Sequence, residues 1–271
     1  MHYKESNWNG FKRYDFILNE RNAILIEPKE KNKNCGWLLK TEYFDAFPSF
    51  EIEMLKRGWF VAYISNITRW HKPEDDDAKA DLCTFLQKEF GLNAKCVPVG
   101  MSCGGMHAVC FAAKYPQYVS SLYLDAPVLN LLSCPCGVGI ADGGMYEEFV
   151  HDTGITVSEL INYRNHPIDL VDKIIEKKIP TFLVCGDSDN VVPYIENGRY
   201  LADKYRNSPV PFKEIIKQGC GHHPHGLALG EPEGQMLTPT NETRVTKNPD
   251  HSKVTGLQVR VINEIKKIVG I

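Results

Sequence analysis

The 271-residue sequence contains no apolar run near the roughly 20 residues that a membrane-spanning helix requires. Its first residues, Met-His-Tyr-Lys-Glu-Ser, lack the apolar stretch of a secretory leader. There is no basic excess: 31 Lys and Arg stand against 34 Asp and Glu, a net charge of −3, so neither nucleic acid nor a membrane is an expected partner. No internal repeat or low-complexity tract is present. A chain with 43% hydrophobic and 24% charged residues is not a mostly disordered one. The nine cysteines are irregularly spaced, and several sit inside apolar runs where Cys acts as a small hydrophobe. A zinc knuckle at Cys134-Pro135-Cys136 would need a second ligand pair, and none is found. Reduced thiols and a cytoplasmic location are the expectation.

What is present is an alternation of short β-rich runs with helical stretches. Phe11–Leu18, Ala23–Glu27, Trp59–Ser65, Cys96–Gly100, Ser121–Asp125, Thr181–Gly186 and Phe212–Lys217 read as strands. Helices are expected over 47–57, from Glu74 to a stop at Gly91, over 103–114 and over 195–205. Leu257, Val261, Ile262, Ile265 and Ile268 mark a closing amphipathic helix. This rhythm predicts one domain over 1–271, built on a mostly parallel sheet covered on both faces. Residues 130–178 read as a lid-like insertion, and 228–254 as a long surface loop.

The chemistry centres on Gly100-Met101-Ser102-Cys103-Gly104, a G-x-S-x-G run with a strand before it and a helix after it. A turn of this kind strains the serine backbone, exposes its hydroxyl and aims the following N–H at a reacting carbonyl oxygen. Small residues are required because strand and helix pass close together. A serine hydroxyl also needs a base, and the base an orienting acid, here in the chain order Ser, Asp or Glu, His. Strand 181–186 runs into Asp187-Ser188-Asp189, and strand 212–217 into Gly221-His222-His223-Pro224-His225. Asp189 lies far enough into its loop to reach an imidazole and is preferred over Asp187, a loop cap, and over Asp125, a strand-end hydrogen bonder. His222 follows a flexible turn and is preferred as the base; His223 and His225 then line the pocket or brace the loop.

Adjacent histidines on an extended segment point in opposite directions, which argues against a shared metal ion. Neither metal nor cofactor is expected. His107 reads as a packed, partner-satisfied residue and His71 as loop surface, within reach of the site mouth as the alternative. The second oxyanion donor is expected in Gly36-Trp37-Leu38, through the backbone N–H of Trp37 or Leu38, beside that of Cys103.

At these residues the chain resembles the α/β-hydrolase superfamily over nearly its whole length. It also resembles a narrower group, bacterial serine esterase-like hydrolases related to prolyl oligopeptidase-type and carbohydrate-esterase proteins. The segments Gly36–Phe44, Leu55–Gly58, Tyr123–Pro127 and Gly221–His225 carry that second likeness. The resemblance implies an α/β-hydrolase fold and a Ser102, Asp189, His222 triad acting on a small-molecule ester, with Lys40, His223 and His225 near the substrate. Lys40 stands where the group would carry an arginine, and the two are not interchangeable at a bidentate site. Amide or peptide hydrolysis, and ligand binding without catalysis, are the rival expectations.

Overall fold

A computed structural model of the chain describes residues 2–226. The expected surface loop over 228–254 and the closing helix lie outside the described residues. Nine strands form one sheet: β1 (Lys4–Trp8), β2 (Phe11–Leu18), β3 (Arg21–Glu27), β4 (Trp37–Lys40), β5 (Phe60–Ile64), β6 (Val97–Met101), β7 (Leu122–Asp125), β8 (Thr181–Gly186) and β9 (Phe212–Lys217). Their order is β1-β2-β3-β5-β4-β6-β7-β8-β9. The first three are antiparallel hairpin strands, β3 meets β5 antiparallel, and from β5 to β9 all neighbours run parallel. Both hairpins turn on two residues with positive φ, Asn9-Gly10 and Asn19-Glu20, as tight right-twisting hairpins require.

The helices are α1 (Ser49–Lys56), α2 (Pro73–Phe90), α3 (Cys103–Lys114), α4 (Tyr146–Thr153), α5 (Val157–Asn162), α6 (Val171–Glu176) and α7 (Gly198–Arg206). Alternate strand residues enter opposite cores. Phe60, Ala62, Leu183 and Cys185 meet α2, α3, α6 and α7 through Leu82, Leu86, Val109, Phe111, Ile174 and Leu201. Val61, Val97, Val99, Phe182 and Val184 meet α1 through Met54 and Leu55. With both faces covered, the central strands carry apolar side chains at successive positions. α2 begins with Pro73 and three acids that suit the positive end of a helix, and it stops at Gly91 in the left-handed conformation. Among the described residues, no helix is long and apolar enough to cross a membrane.

Within 130–178 two behaviours separate. α4 and α5 place Phe149 and Leu160 on Trp70, Cys103 and Met106, roofing the start of α3. α6 instead puts Val171 and Ile174 into the core beneath the sheet. The arrangement is an α/β-hydrolase fold, and it delivers the ends of β4, β6, β7, β8 and β9 to one rim.

The tightest packing lies where β6 turns into α3. A Cβ on Gly100 would sit 2.5 Å from the Gly104 carbonyl oxygen, and one on Gly105 would sit 2.6 Å from the Pro127 Cα. Gly105→Ala should lower the unfolding free energy by about 1–3 kcal/mol through overpacking. Gly144→Ala, whose Cβ would find its nearest neighbour at 3.9 Å, should change it by less than about 0.5 kcal/mol. Urea titration of the two variants checks the contrast.

Candidate active site

Ser102 sits between β6 and α3 with φ 52° and ψ −124°, a conformation that residues with a Cβ rarely adopt. The fold fixes it by its own peptide groups. Its N–H donates to the Asp125 carbonyl at 3.0 Å, and its carbonyl accepts from Gly105 and Val128 at 2.9 Å each. Ser102 Oγ lies 3.0 Å from His222 Nε2, and His222 Nδ1 lies 2.7 Å from Asp189 Oδ2. The other Asp189 oxygen accepts from the N–H groups of Val191 and Val192 at 2.9 and 2.8 Å, which locks the carboxylate in its loop. The His222 and Asp189 side chains are 6% and 1% exposed, so their hydrogen bond is shielded from water. Three residues distant in the sequence therefore form one continuous hydrogen-bonded row. With Nδ1 facing a carboxylate, the imidazole carries its proton there and presents Nε2 as an acceptor to the serine.

The neighbouring candidates have other partners. Asp187 accepts from the Gly219 N–H at 2.7 Å and from the Ser188 hydroxyl, so it braces the loop. Asp125 holds His225 Nδ1 at 2.9 Å and the Gly226 N–H at 2.5 Å. His223 is exposed and stacks on Phe47. Lys217, which the sequence does not single out, is buried at the end of β9 and donates to the carbonyls of Pro224 and Gly226 at 2.8 and 3.1 Å. It anchors the loop that carries all three histidines.

Three sequence expectations are corrected. Trp37 and Leu38 do not reach the serine. They begin β4, pair with Phe60 and with Val61 and Val97, and so lie at the amino end of the strand, whereas Ser102 follows the carboxyl end of the adjacent β6. The segment 37–40 is a strand, so the loop that approaches the elbow is the one after it. There Thr41 Oγ1 donates to the Gly104 carbonyl at 2.7 Å, and Tyr43, with φ 54°, places its phenol against Cys103 and Arg69. The Tyr43 N–H donates to Glu42 Oε1 at 3.2 Å.

Lys40 does not face substrate either: it is 1% exposed and donates to Glu51 Oε1 at 2.5 Å. His71 is not loop surface. Its Nε2 sits 2.8 Å from Asp76, and although burial opposes the charge, Cys110 and Asp76 push its pKa up to about 10.

Behind the elbow lies a buried polar cluster. Lys79 Nζ donates to Asn66 Oδ1 at 2.5 Å and to the Asp75 carbonyl at 3.1 Å. Asn66 in turn donates to the Thr41 carbonyl at 2.7 Å and to Glu42 at 2.5 Å, which ties α2 to the loop after β4. Burial pushes Lys79 down to about 8. Burial likewise holds the Cys103 thiol up at about 11, so it stays protonated at neutral pH and does not compete with the serine. Arg69 pairs with Glu148 of α4, and Thr68 donates to Asp152 at 2.5 Å, so two contacts fasten the roof.

His107, on α3, accepts from Lys79 at 3.4 Å and donates to the Arg69 carbonyl at 3.0 Å. Burial first, then Lys79 and His71, hold it well below the ordinary 6.5. Below that value the unfolded chain takes up a proton that the folded chain refuses, so stability falls on acidification. The His71 contribution is complete only below about 6.5 and is lost as pH rises from there toward about 10, so above 6.5 it opposes the His107 effect. Between about pH 6.5 and about pH 5 the urea midpoint should fall, and His107→Gln should shrink that fall.

The model of the prolyl oligopeptidase family matches residues 63–235. No curated protein matches the chain. Among solved structures, the chain is similar to a puromycin hydrolase, with a TM-score of 0.62 and 16% identity over 82% of this chain and 36% of that one. It is similar to the Pyrococcus horikoshii acylaminoacyl peptidase, with a TM-score of 0.59 and 14% identity over 82% and 38%. It is also similar to Est1E from Butyrivibrio proteoclasticus, with a TM-score of 0.52 and 17% identity over 81% and 90%. The chain spans little more than a third of the first two, and at these identities the likeness is one of fold. The family match covers well over half of the chain and includes β6, the elbow serine and the loops that carry Asp189 and His222. On that match the chain belongs to the prolyl oligopeptidase family.

Proposed function

We propose that the protein is a serine hydrolase that cleaves a carboxylic ester of a small soluble substrate through an acyl-enzyme. The observation that carries this reading is the unbroken row Ser102, His222, Asp189, with contacts of 3.0 and 2.7 Å. Ser102 Oγ attacks the carbonyl carbon while His222 Nε2 takes its proton. The imidazolium, stabilised by Asp189, returns that proton to the leaving oxygen. Water then repeats the sequence on the acyl-enzyme and frees the acid.

The oxyanion is assigned to the N–H of Cys103, in the first turn of α3 where amides have no intrahelical acceptor, and to the N–H of Tyr43. The Tyr43 amide donates to Glu42 Oε1 at 3.2 Å in the free protein and must leave that partner to meet the oxyanion.

An ester is favoured over a peptide by the carboxylates beside the elbow. Glu42 and Glu148 both act on Cys103, and both are taken: Glu42 by Asn66, Glu148 by Arg69. A peptide amino terminus would have to break one of those pairs to be held. An acylated sugar, the class suggested by the carbohydrate-esterase resemblance, needs no such anchor. The family match, together with neighbours named as a puromycin hydrolase and an acylaminoacyl peptidase, supports amide hydrolysis as the second reading.

A fluorophosphonate probe should label the wild-type protein and leave Ser102→Ala unlabelled. Asp189→Asn should lower kcat by about 10⁴-fold, the cost of the wrong imidazole tautomer in such triads. p-Nitrophenyl acetate should be turned over with a higher kcat/KM than aminoacyl p-nitroanilides. The opposite ranking assigns the protein to amide hydrolysis, and a folded protein that never reacts with the probe refutes both readings.

A further inference from the structure

Beside the catalytic row stand two imidazoles that the hydrolytic mechanism does not use, and they cluster with its base. His222, His223 and His225 each offer a ring nitrogen, and these atoms lie within 4.8 Å of one another. The ring centroids are 4.9, 4.8 and 5.0 Å apart, and the three planes are steeply inclined to each other, at 67°, 81° and 85°. Adjacent histidines diverge only where the backbone is extended. Residues 221–226 are not a strand, and the loop folds back so that neighbouring side chains converge instead of alternating.

We propose that His222, His223 and His225 form a binding site for a divalent transition metal, Zn²⁺ in the first instance, and that its occupation silences the hydrolase. The preparation of the ligands supports it. His222 Nδ1 faces Asp189 at 2.7 Å and His225 Nδ1 faces Asp125 at 2.9 Å. A carboxylate on Nδ1 fixes the proton there and leaves Nε2 with its lone pair, the arrangement found behind metal-binding histidines. Both carboxylates are buried and restrained by backbone N–H groups, so two of the three imidazoles are oriented in advance.

The third, His223, is exposed and rests against Phe47, so it can swing inward and lies on the side from which an ion would enter. Tetrahedral Zn–N bonds of about 2.0–2.1 Å set the nitrogens about 3.3 Å apart. With the ring nitrogens within 4.8 Å of one another, the separations must therefore close by at most about 1.5 Å, a side-chain adjustment within reach of His223. Imidazole nitrogens suit Zn²⁺, and the fourth position stays open to water.

Binding costs the enzyme its base. The ion takes the His222 Nε2 lone pair, the hydrogen bond to Ser102 Oγ is lost, and the hydroxyl keeps its proton. This consequence rests on the role proposed above for His222, whereas the site itself rests on geometry alone.

The test uses the full chain, stripped of metal with a chelator and titrated with Zn²⁺ against a chromophoric chelator at neutral pH. Ser102→Ala, His223→Gln and His225→Gln are treated alike, and fluorophosphonate labelling is followed in parallel. One tight equivalent is expected in the wild-type protein and in Ser102→Ala, weakened about tenfold or more by His223→Gln. Wild-type labelling should slow as the site fills and recover with EDTA. His223→Gln alone decides the matter should His225→Gln not fold, since His223 is at the surface. Zn²⁺ affinity unchanged by His223→Gln, as binding at cysteines would give, overturns the site, as does failure to bind. Histidine-dependent binding in a protein that never reacts with the probe keeps the site and refutes the hydrolase reading. Labelling unaffected by a filled site overturns the inhibitory claim.

Discussion

The backbone of Ser102 is the constraint on which the site depends. A residue with a Cβ held at φ 52° costs on the order of 1–3 kcal/mol, and it persists only where its surroundings leave no alternative. Here the surroundings are specific. The serine's peptide groups are bound on both sides by Asp125, Gly105 and Val128, and Gly100, Gly104 and Gly105 let β6, α3 and the chain at Pro127 approach one another. The hydroxyl is thus presented by backbone geometry, and the imidazole and carboxylate need only be brought to it.

They are brought by loops that leave β8 and β9, and each loop is tied down by its own polar groups. Asp189 is held by two amides one and two residues beyond Asn190, and Asp187 holds the histidine loop at Gly219. Lys217 closes the far side of that loop by donating to two carbonyls. On the opposite flank, Lys79 and Asn66 connect α2 to the loop after β4. Buried polar groups of this kind are tolerated because nearly every donor meets an acceptor, and in return they allow few alternative positions.

The parts of this arrangement legible in the sequence are those with a local signature. The G-x-S-x-G run, the stop at Gly91 and the strands 181–186 and 212–217 declare themselves by glycine placement or by apolar runs of strand length, and the structure places them there. β4 has no such signature. All four of its residues are buried, so it shows no alternation, and a lysine closes it. Without a legible β4, the sequence shows no loop after that strand, which is why the expectation falls on Trp37 and Leu38 although both lie within the strand. Lys40 misled for the same reason: its charge reads as exposed, yet its partner Glu51 arrives from α1, and no local pattern announces a pairing across the face of a sheet. β1 went unread although Asn9-Gly10 is a strong hairpin signal, because the strand before it is short and mostly exposed.

The roof over the elbow is fastened differently from the floor. Arg69 and Glu148 meet with side chains 31% and 44% exposed, whereas Asp189 and His222 meet at 1% and 6%. Dissolved ions compete for exposed ion pairs and reach buried ones far less. Rising ionic strength therefore weakens the Arg69–Glu148 contact of the roof and leaves the Asp189–His222 contact beneath it nearly unchanged.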